Sequence, residues 1–162
     1  MPGLTFVTTD PGSPAAVATL RAYYDDIVGR YWGRAALPAE TDSAIADEPS
    51  HDLQGDTGVL VLGLLDGVPV AYGGVRFAGE GIGELTRVYV AASARGTGAG
   101  AGLLRHLDGL AVAAGLSRLR LTVRSDLIEA RRLYARCGYA DVAPFNTEPY
   151  AEHWLAKELH RP

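Results

Sequence analysis

Apolar residues change their period several times along this chain, and each change marks an element. Residues 4–9 (LTFVTT) alternate weakly, as a short strand does. Val17, Leu20, Tyr24, Ile27 and Tyr31 then recur at helical spacing. Ser13 stands where an N-cap is needed, and Pro14 at the first helical position, so an amphipathic helix is predicted to follow. Residues 35–57 are rich in Asp, Pro, Ser and Gly and read as a loop with one short helix around residues 42–47.

The stretch GVLVLGLLDGVPVAYGGVRF reads as a hairpin, because two apolar runs flank Asp66-Gly67, a type I′ turn signal. GIGELTRVYV adds a third strand. After a run of glycines, Leu103, Leu107, Leu110 and Ala114 give a helix that Gly115 ends. In SRLRLTVRS, Leu119, Leu121 and Val123 alternate with Arg118, Arg120, Thr122 and Arg124, the pattern of a strand. DLIEARRLYARCGY reads as a second short helix with Asp126 as N-cap and Gly138 at its end. YADVAPF and AEHWLAKEL close the chain as strands. Strand 82–90, helix 98–114 and strand 117–124 make a βαβ crossover, which requires parallel strands. The expectation is an α/β fold: a mixed, mostly antiparallel central sheet with one parallel crossover and helices on both faces.

Composition narrows the function classes. A length of 162 residues fits one domain, and 48% hydrophobic with 21% charged residues fits a folded chain. No apolar run approaches the roughly 18 residues of a membrane span, and the N-terminus lacks the regions of a signal peptide. The expectation is a cytoplasmic protein without a membrane partner. Cys137 is the single cysteine, and His51, His106, His153 and His160 are scattered, so no metal site is assigned. A net charge of −4 argues against a nucleic-acid partner. The charge is uneven. Residues 1–56 hold nine acids against three arginines, and residues 57–162 hold ten acids against twelve bases. Lys157 is the only lysine, so arginine abundance alone carries no functional meaning.

The candidate chemistry lies in YVAASARGTGAGAGLL, where Gly96, Gly98, Gly100 and Gly102 stand at alternate positions before a helix. A strand, a glycine-rich turn and a helix start form an anion-binding device, because bare backbone N–H groups converge there. A P-loop requires a lysine that is absent here. A dinucleotide fingerprint can be written as Gly96-x-Gly98-x-x-Ala101, but Ala91–Arg95 separate it from the strand, and the next strand ends in arginine rather than an acid. Glycines serving helix packing are the third reading, for Gly102 in particular.

Arg95-x-x-Gly98-x-Gly100 matches the R/Q-x-x-G-x-G/A signature of the GNAT N-acetyltransferase superfamily, and ELTRVYVAASARGTGAGAGLLRHL resembles that family's fourth strand, pyrophosphate loop and third helix. Ala130 to Tyr139 (AxxLYxxxGY) resembles its next motif. The resemblance covers residues 58–160 in detail and the rest in outline. It implies a single acetyltransferase domain over residues 1–162, with an acetyl-CoA-binding core over residues 58–160. The helices and loop of residues 1–57 would form the acceptor side. Backbone groups of Val88, Tyr89 and Val90 would pair with the pantetheine arm. The amides of Arg95, Gly96, Thr97, Gly98, Ala99 and Gly100, with Ala101 opening the helix, would wrap the pyrophosphate. Many relatives carry asparagine where this chain has Leu127, so the cofactor contact there would fall to Leu127 and Ala130, with Arg131 compensating.

Acetyl transfer to an amine needs a proton acceptor, a donor for the developing oxyanion and a proton for the leaving thiolate. The resemblance implies direct attack, so Cys137 is not required as a nucleophile. It assigns Tyr134 as the general acid and Glu84 as the base, with a backbone N–H of Val88–Val90 for the oxyanion. A β-bulge in strand 82–90 would reset which side chains face the site. The expected activity is acetyl-CoA-dependent transfer to a primary amine, either a small molecule or a lysine side chain, by a monomer or homodimer without a metal. The acidic first segment points to a cationic acceptor. A non-catalytic acyl-CoA sensor is the alternative.

Overall fold

The computed structural model describes residues 3–160. β1 (Leu4–Thr8) is followed by α1 (Pro14–Trp32). Ser13 caps α1 by accepting from Ala16 N–H at 3.3 Å, and Gly33 ends it in the left-handed region at φ 69°. α2 (Pro38–Asp47) is longer and starts earlier than the short helix expected within that loop. The reason is local: Pro38 takes the first turn, and the Glu40 carboxylate accepts from Leu37 N–H at 2.8 Å.

β2 (Gly58–Leu65) and β3 (Val68–Gly79) form the expected hairpin, and Asp66 (φ 50°) and Gly67 (φ 82°) give its turn the two left-handed residues of type I′. β4 (Ile82–Val90) completes the meander. A 3₁₀ turn (Ala92–Ala94) leads to α3 (Ala99–Ala113), then β5 (Arg118–Val123), α4 (Ile128–Arg136), β6 (Ala140–Asp141) and β7 (His153–Glu158). The seven strands lie in the order β1-β2-β3-β4-β5-β7-β6, with β4 and β5 parallel and every other pair antiparallel. This is the mixed sheet read from the sequence.

Alternation along the strands supplies a core to each face. Leu60, Leu62 and Tyr72 pack with Ala16, Leu20 and Tyr24 of α1 and with Leu53. Val61, Ala71, Val75, Leu119, Leu121 and Val123 pack with Leu103, Leu104, Leu107 and Ala111 of α3 and with Leu133 and Tyr134 of α4. Gly73 and Gly74 let both layers approach β3. A Cβ would lie 3.1 Å from Leu103 at the first and 2.7 Å from Leu53 at the second.

Two local expectations are corrected and a third is met. Leu127, not Asp126, holds the N-cap position of α4; the Asp126 carboxylate is taken by the Arg124 guanidinium at 2.8 and 2.9 Å. The strand expected over YADVAPF shrinks to Ala140–Asp141. Pro144 has no N–H for a ladder, and the Phe145 ring instead lies 4.4 Å from the Arg120 guanidinium. Last, β4 contains the bulge: Tyr72 faces Tyr89 and Gly74 faces Thr86, so Arg87 and Val88 share one partner position. Among the described residues, no helix is long and apolar enough to cross a membrane.

Candidate active site

β4 and β5 pair only through Ile82–Arg118, Gly83–Leu119 and Glu84–Arg120. Beyond Glu84 the strands part, and the β5-facing edge of β4 carries no strand. A cleft of about 1690 Å³ opens there between α1, α2, α3 and α4. The bulge decides which β4 side chains meet it. Val88 and Val90 pack toward α3, Tyr89 toward α1, and Arg87 (φ 55°) turns to Tyr24 of α1.

At one end of the cleft, unpaired backbone amides and arginines gather. Gly96 (φ 81°) and Gly98 (φ 85°) turn the backbone so that the N–H groups of Gly96, Gly98, Ala99, Gly100 and Ala101 have no acceptor among the described residues. The Arg95 and Thr97 amides are already used by Ala92 O and Ala94 O, so the nest is narrower than the motif implied. Arg95, Arg132 and Arg136 line the same cleft. The last two were missed in the sequence; their i, i+4 spacing on α4 was the available signal.

The four glycines have separate reasons. A Cβ on Gly96 or Gly98 would meet nothing within 4 Å, but both residues have the left-handed φ that side chains disfavour. On Gly100 it would press on Leu133 at 2.9 Å, and on Gly102 on the Phe6 ring at 2.7 Å. Gly100 therefore serves packing against α4, and Gly102 packing against β1.

Tyr134 lines the cleft at 6% exposure, edge-on to Tyr139 at 5.7 Å, and its hydroxyl has no partner among the described residues. Leu127 and Ala130 line the cleft beside it. Arg131 and Thr97 do not. Arg131 donates to Ser125 O at 3.1 Å, and Thr97 bonds back to Ala94 O.

The other end of the cleft is polar and paired. Arg76 meets Asp52 through Nε and Nη2 and holds that carboxyl below the usual carboxylate range. Arg87 Nε donates to Tyr24 Oη at 3.0 Å and Nη2 to Glu48 O at 2.6 Å, with the Glu48 carboxylate 3.6 Å away. Glu84 lies 3.5 Å from Arg120 Nε. Asp26, Glu40 and Asp42 of the acidic first segment are likewise paired, with Arg30, Arg34 and Arg21. Arg87 carried no sequence signal, because only the bulge turns it into the cleft.

Burial pushes the Tyr134 and Tyr139 phenols above their ordinary value near 10, and the Asp108 charge adds to the effect at Tyr139. Raised folded-state values leave stability intact below pH 10 and remove it as the pH rises past the unfolded value. Each such phenol costs about 1.4 kcal/mol per pH unit there. Urea midpoints are expected to fall more steeply above about pH 10 than below it, and Tyr139→Phe to soften that fall. An equal slope in the variant and the wild type would contradict this.

A model of the acetyltransferase (GNAT) family matches residues 17–139, which include the nest, the separated strands and Tyr134. The chain belongs to that family. A curated relative, an IAA acetyltransferase from Azospirillum brasilense, is 36% identical over 99 residues. That match spans 59% of this chain and 62% of the relative's length. A GNAT acetyltransferase structure from Staphylococcus aureus has a TM-score of 0.78 at 13% identity, covering 97% of this chain and 99% of that one. The PaiA N-acetyltransferase of Thermoplasma acidophilum, in complex with coenzyme A, has a TM-score of 0.71 at 14% identity, covering 95% and 99%. These two structures share the GNAT fold with this chain.

Proposed function

We propose that this protein is an acetyl-CoA-dependent N-acetyltransferase that moves an acetyl group to a primary amine by direct attack. The observation that carries the reading is the cleft itself. An anion-binding nest with Arg95, Arg132 and Arg136 stands at one end, a polar acceptor wall at the other, and Tyr134 is between them. The residues fit acetyl-CoA. Bare amides and arginines suit its phosphates, and the free edge of Val88–Val90 suits its extended amide arm. Bound there, acetyl-CoA supplies an activated acetyl thioester.

In this reading Tyr134 holds a proton for the leaving sulfur, and the backbone N–H groups of Val88–Val90 offer a donor to the reacting carbonyl oxygen. Glu84 is the proposed base, acting on the ammonium directly or through water. The acidic first segment favoured a cationic acceptor, but most of those carboxylates are paired with arginines. That argument therefore loses its force, and the acceptor class here is a primary amine, small molecule or lysine side chain.

The test is release of free thiol from acetyl-CoA against a panel of amines, with thermal shifts by acetyl-CoA and NAD alongside. Amine-dependent thiol release with stabilisation by acetyl-CoA is expected. Stabilisation by NAD alone, or thiol release that no amine accelerates, would sink the reading. Gly98→Ala adds a Cβ at φ 85° on the nest and is expected to weaken coenzyme A binding by about tenfold while costing about 1 kcal/mol of stability.

A further inference from the structure

We infer that Tyr23 is a second catalytic phenol, whose hydroxyl donates a hydrogen bond to the acetyl carbonyl oxygen and holds it as negative charge develops there. This rests on the transferase reading and adds a residue to its machinery.

The first support is where the two phenols stand. Tyr23 belongs to α1 and packs, partly buried, on the layer that holds Leu20 and Tyr24. Tyr134 belongs to α4 and packs in the layer on the opposite face of the sheet. An unbroken sheet would keep these layers apart. Here β4 and β5 part beyond Glu84, both tyrosines line the cleft so formed, and the two phenols act on each other through it. A group transferred beside Tyr134 then lies between the two hydroxyls.

The second support is that the Tyr23 hydroxyl is free and open. It makes no hydrogen bond among the described residues, yet unlike the Tyr72 hydroxyl it is not sealed from solvent. Its neighbour Tyr24 differs, because that hydroxyl accepts from Arg87 Nε at 3.0 Å and faces Glu48 Oε2 at 3.4 Å. Of two adjacent tyrosines on α1, one fastens the fold and the other keeps its donor for the cleft.

The third support is a fixed ring. Tyr23 meets Tyr24 edge-on, with centroids 4.9 Å apart at 71°, and Tyr89 at 6.2 Å and 77°. Tyr89 lies between Val88 and Val90, whose backbone N–H groups are the proposed donors to the same oxygen. The ring is thus anchored on the stretch of β4 that the oxygen would face. Burial raises the Tyr23 phenol above its ordinary value, so the hydroxyl remains a donor at neutral pH. A preorganised donor strengthens as charge develops on its partner.

The step balances without a further reactant. The lone pair of the neutral amine forms the carbon–nitrogen bond, and the carbonyl π pair moves onto the oxygen that Tyr23 meets. When the carbonyl re-forms, the carbon–sulfur bond breaks and the sulfur takes the Tyr134 proton. One proton leaves the nitrogen for Glu84, and water returns a proton to Tyr134. Tyr23 keeps its own proton throughout.

The experiment compares Tyr23→Phe with wild type, since phenylalanine keeps the ring contacts and removes only the donor. Infrared spectra are taken of bound acetyl-CoA with an isotope-labelled acetyl carbonyl, in the absence of amine. Thiol release is measured with benzylamine, spermidine and Nα-acetyl-lysine amide. Rates are divided by the coenzyme A sites counted by calorimetry, so a misfolded fraction is not scored. In the variant the carbonyl band is expected to move back toward its position in free acetyl-CoA. Both kcat and kcat/KM are expected to fall together by about tenfold or more, with coenzyme A affinity within about twofold of wild type. An unmoved band, an unchanged kcat, or a loss carried wholly by the amine KM overturns the inference and leaves the transferase standing. If the band moves but wild-type protein acetylates none of the amines, the hydrogen bond stands and the transferase falls, and the catalytic role of Tyr23 falls with it.

Discussion

Replacing Tyr134 by phenylalanine lowers the rate of acetyl transfer by about 10²-fold or more and leaves coenzyme A affinity near that of wild type. The ring is held by α4 and by its edge contact with Tyr139, and phenylalanine keeps both. What the variant loses is a hydroxyl without a partner among the described residues, so folding stability is expected to move little. Burial raises the phenol's pKa, which keeps the proton in place across the neutral range and beyond it. The wild-type rate should therefore climb with pH as the amine loses its proton, without a decline set by Tyr134 below about pH 10. A pH–rate profile of wild type and variant checks both statements. Equal rates across pH would remove Tyr134 as the acid.

Replacing Arg87 by alanine destabilises the fold by about 3 kcal/mol or more. The guanidinium is 2% exposed and ties three segments together: Tyr24 of α1 at 3.0 Å, and the carbonyls of Glu48 and Pro49 at 2.6 and 3.5 Å after α2. Alanine leaves the Tyr24 hydroxyl and the Glu48 carbonyl without that donor. It also keeps a Cβ at φ 55°. Arg87→Gly removes that strain, worth about 1–2 kcal/mol, and loses the same hydrogen bonds. The pair of variants separates the two contributions, so chemical denaturation should place Arg87→Gly above Arg87→Ala and both below wild type. If Arg87→Ala unfolds at the wild-type midpoint, the guanidinium is not what fastens these three segments.

Most of the architecture was legible because it is local. Ser13 and Pro14 announce α1, Asp66-Gly67 forces the type I′ hairpin, and the alternation in SRLRLTV builds a half-buried strand. Each of these signals works within a few residues. The expectations that failed turned on side-chain pairings that residue type and spacing do not show. α2 was underestimated because its Asp, Ser and Pro content resembles a loop, whereas capping at Leu37–Glu40 and the Arg34–Glu40 pair sustain a full helix. Asp126 was free to cap α4 in sequence, but Arg124, just after β5, competes for its carboxylate and wins. Arg131 was the arginine nearest the Leu127 departure, yet helical rotation sends Arg132 and Arg136 to the cleft.

The sequence by itself determined the family, the order of elements and the place of the glycine-rich turn before α3, since motif spacing and left-handed glycines are written in neighbouring residues. Tertiary structure alone decided the polar end of the cleft. There the bulge at Arg87 swaps side-chain facing, and arginines from β3 and β4 pair with Asp52 and Glu48, carboxylates that in the linear chain looked like part of a free negative field. Charge counted along a sequence ignores which opposite charges the fold brings within 4 Å, and that distance sets what a ligand meets.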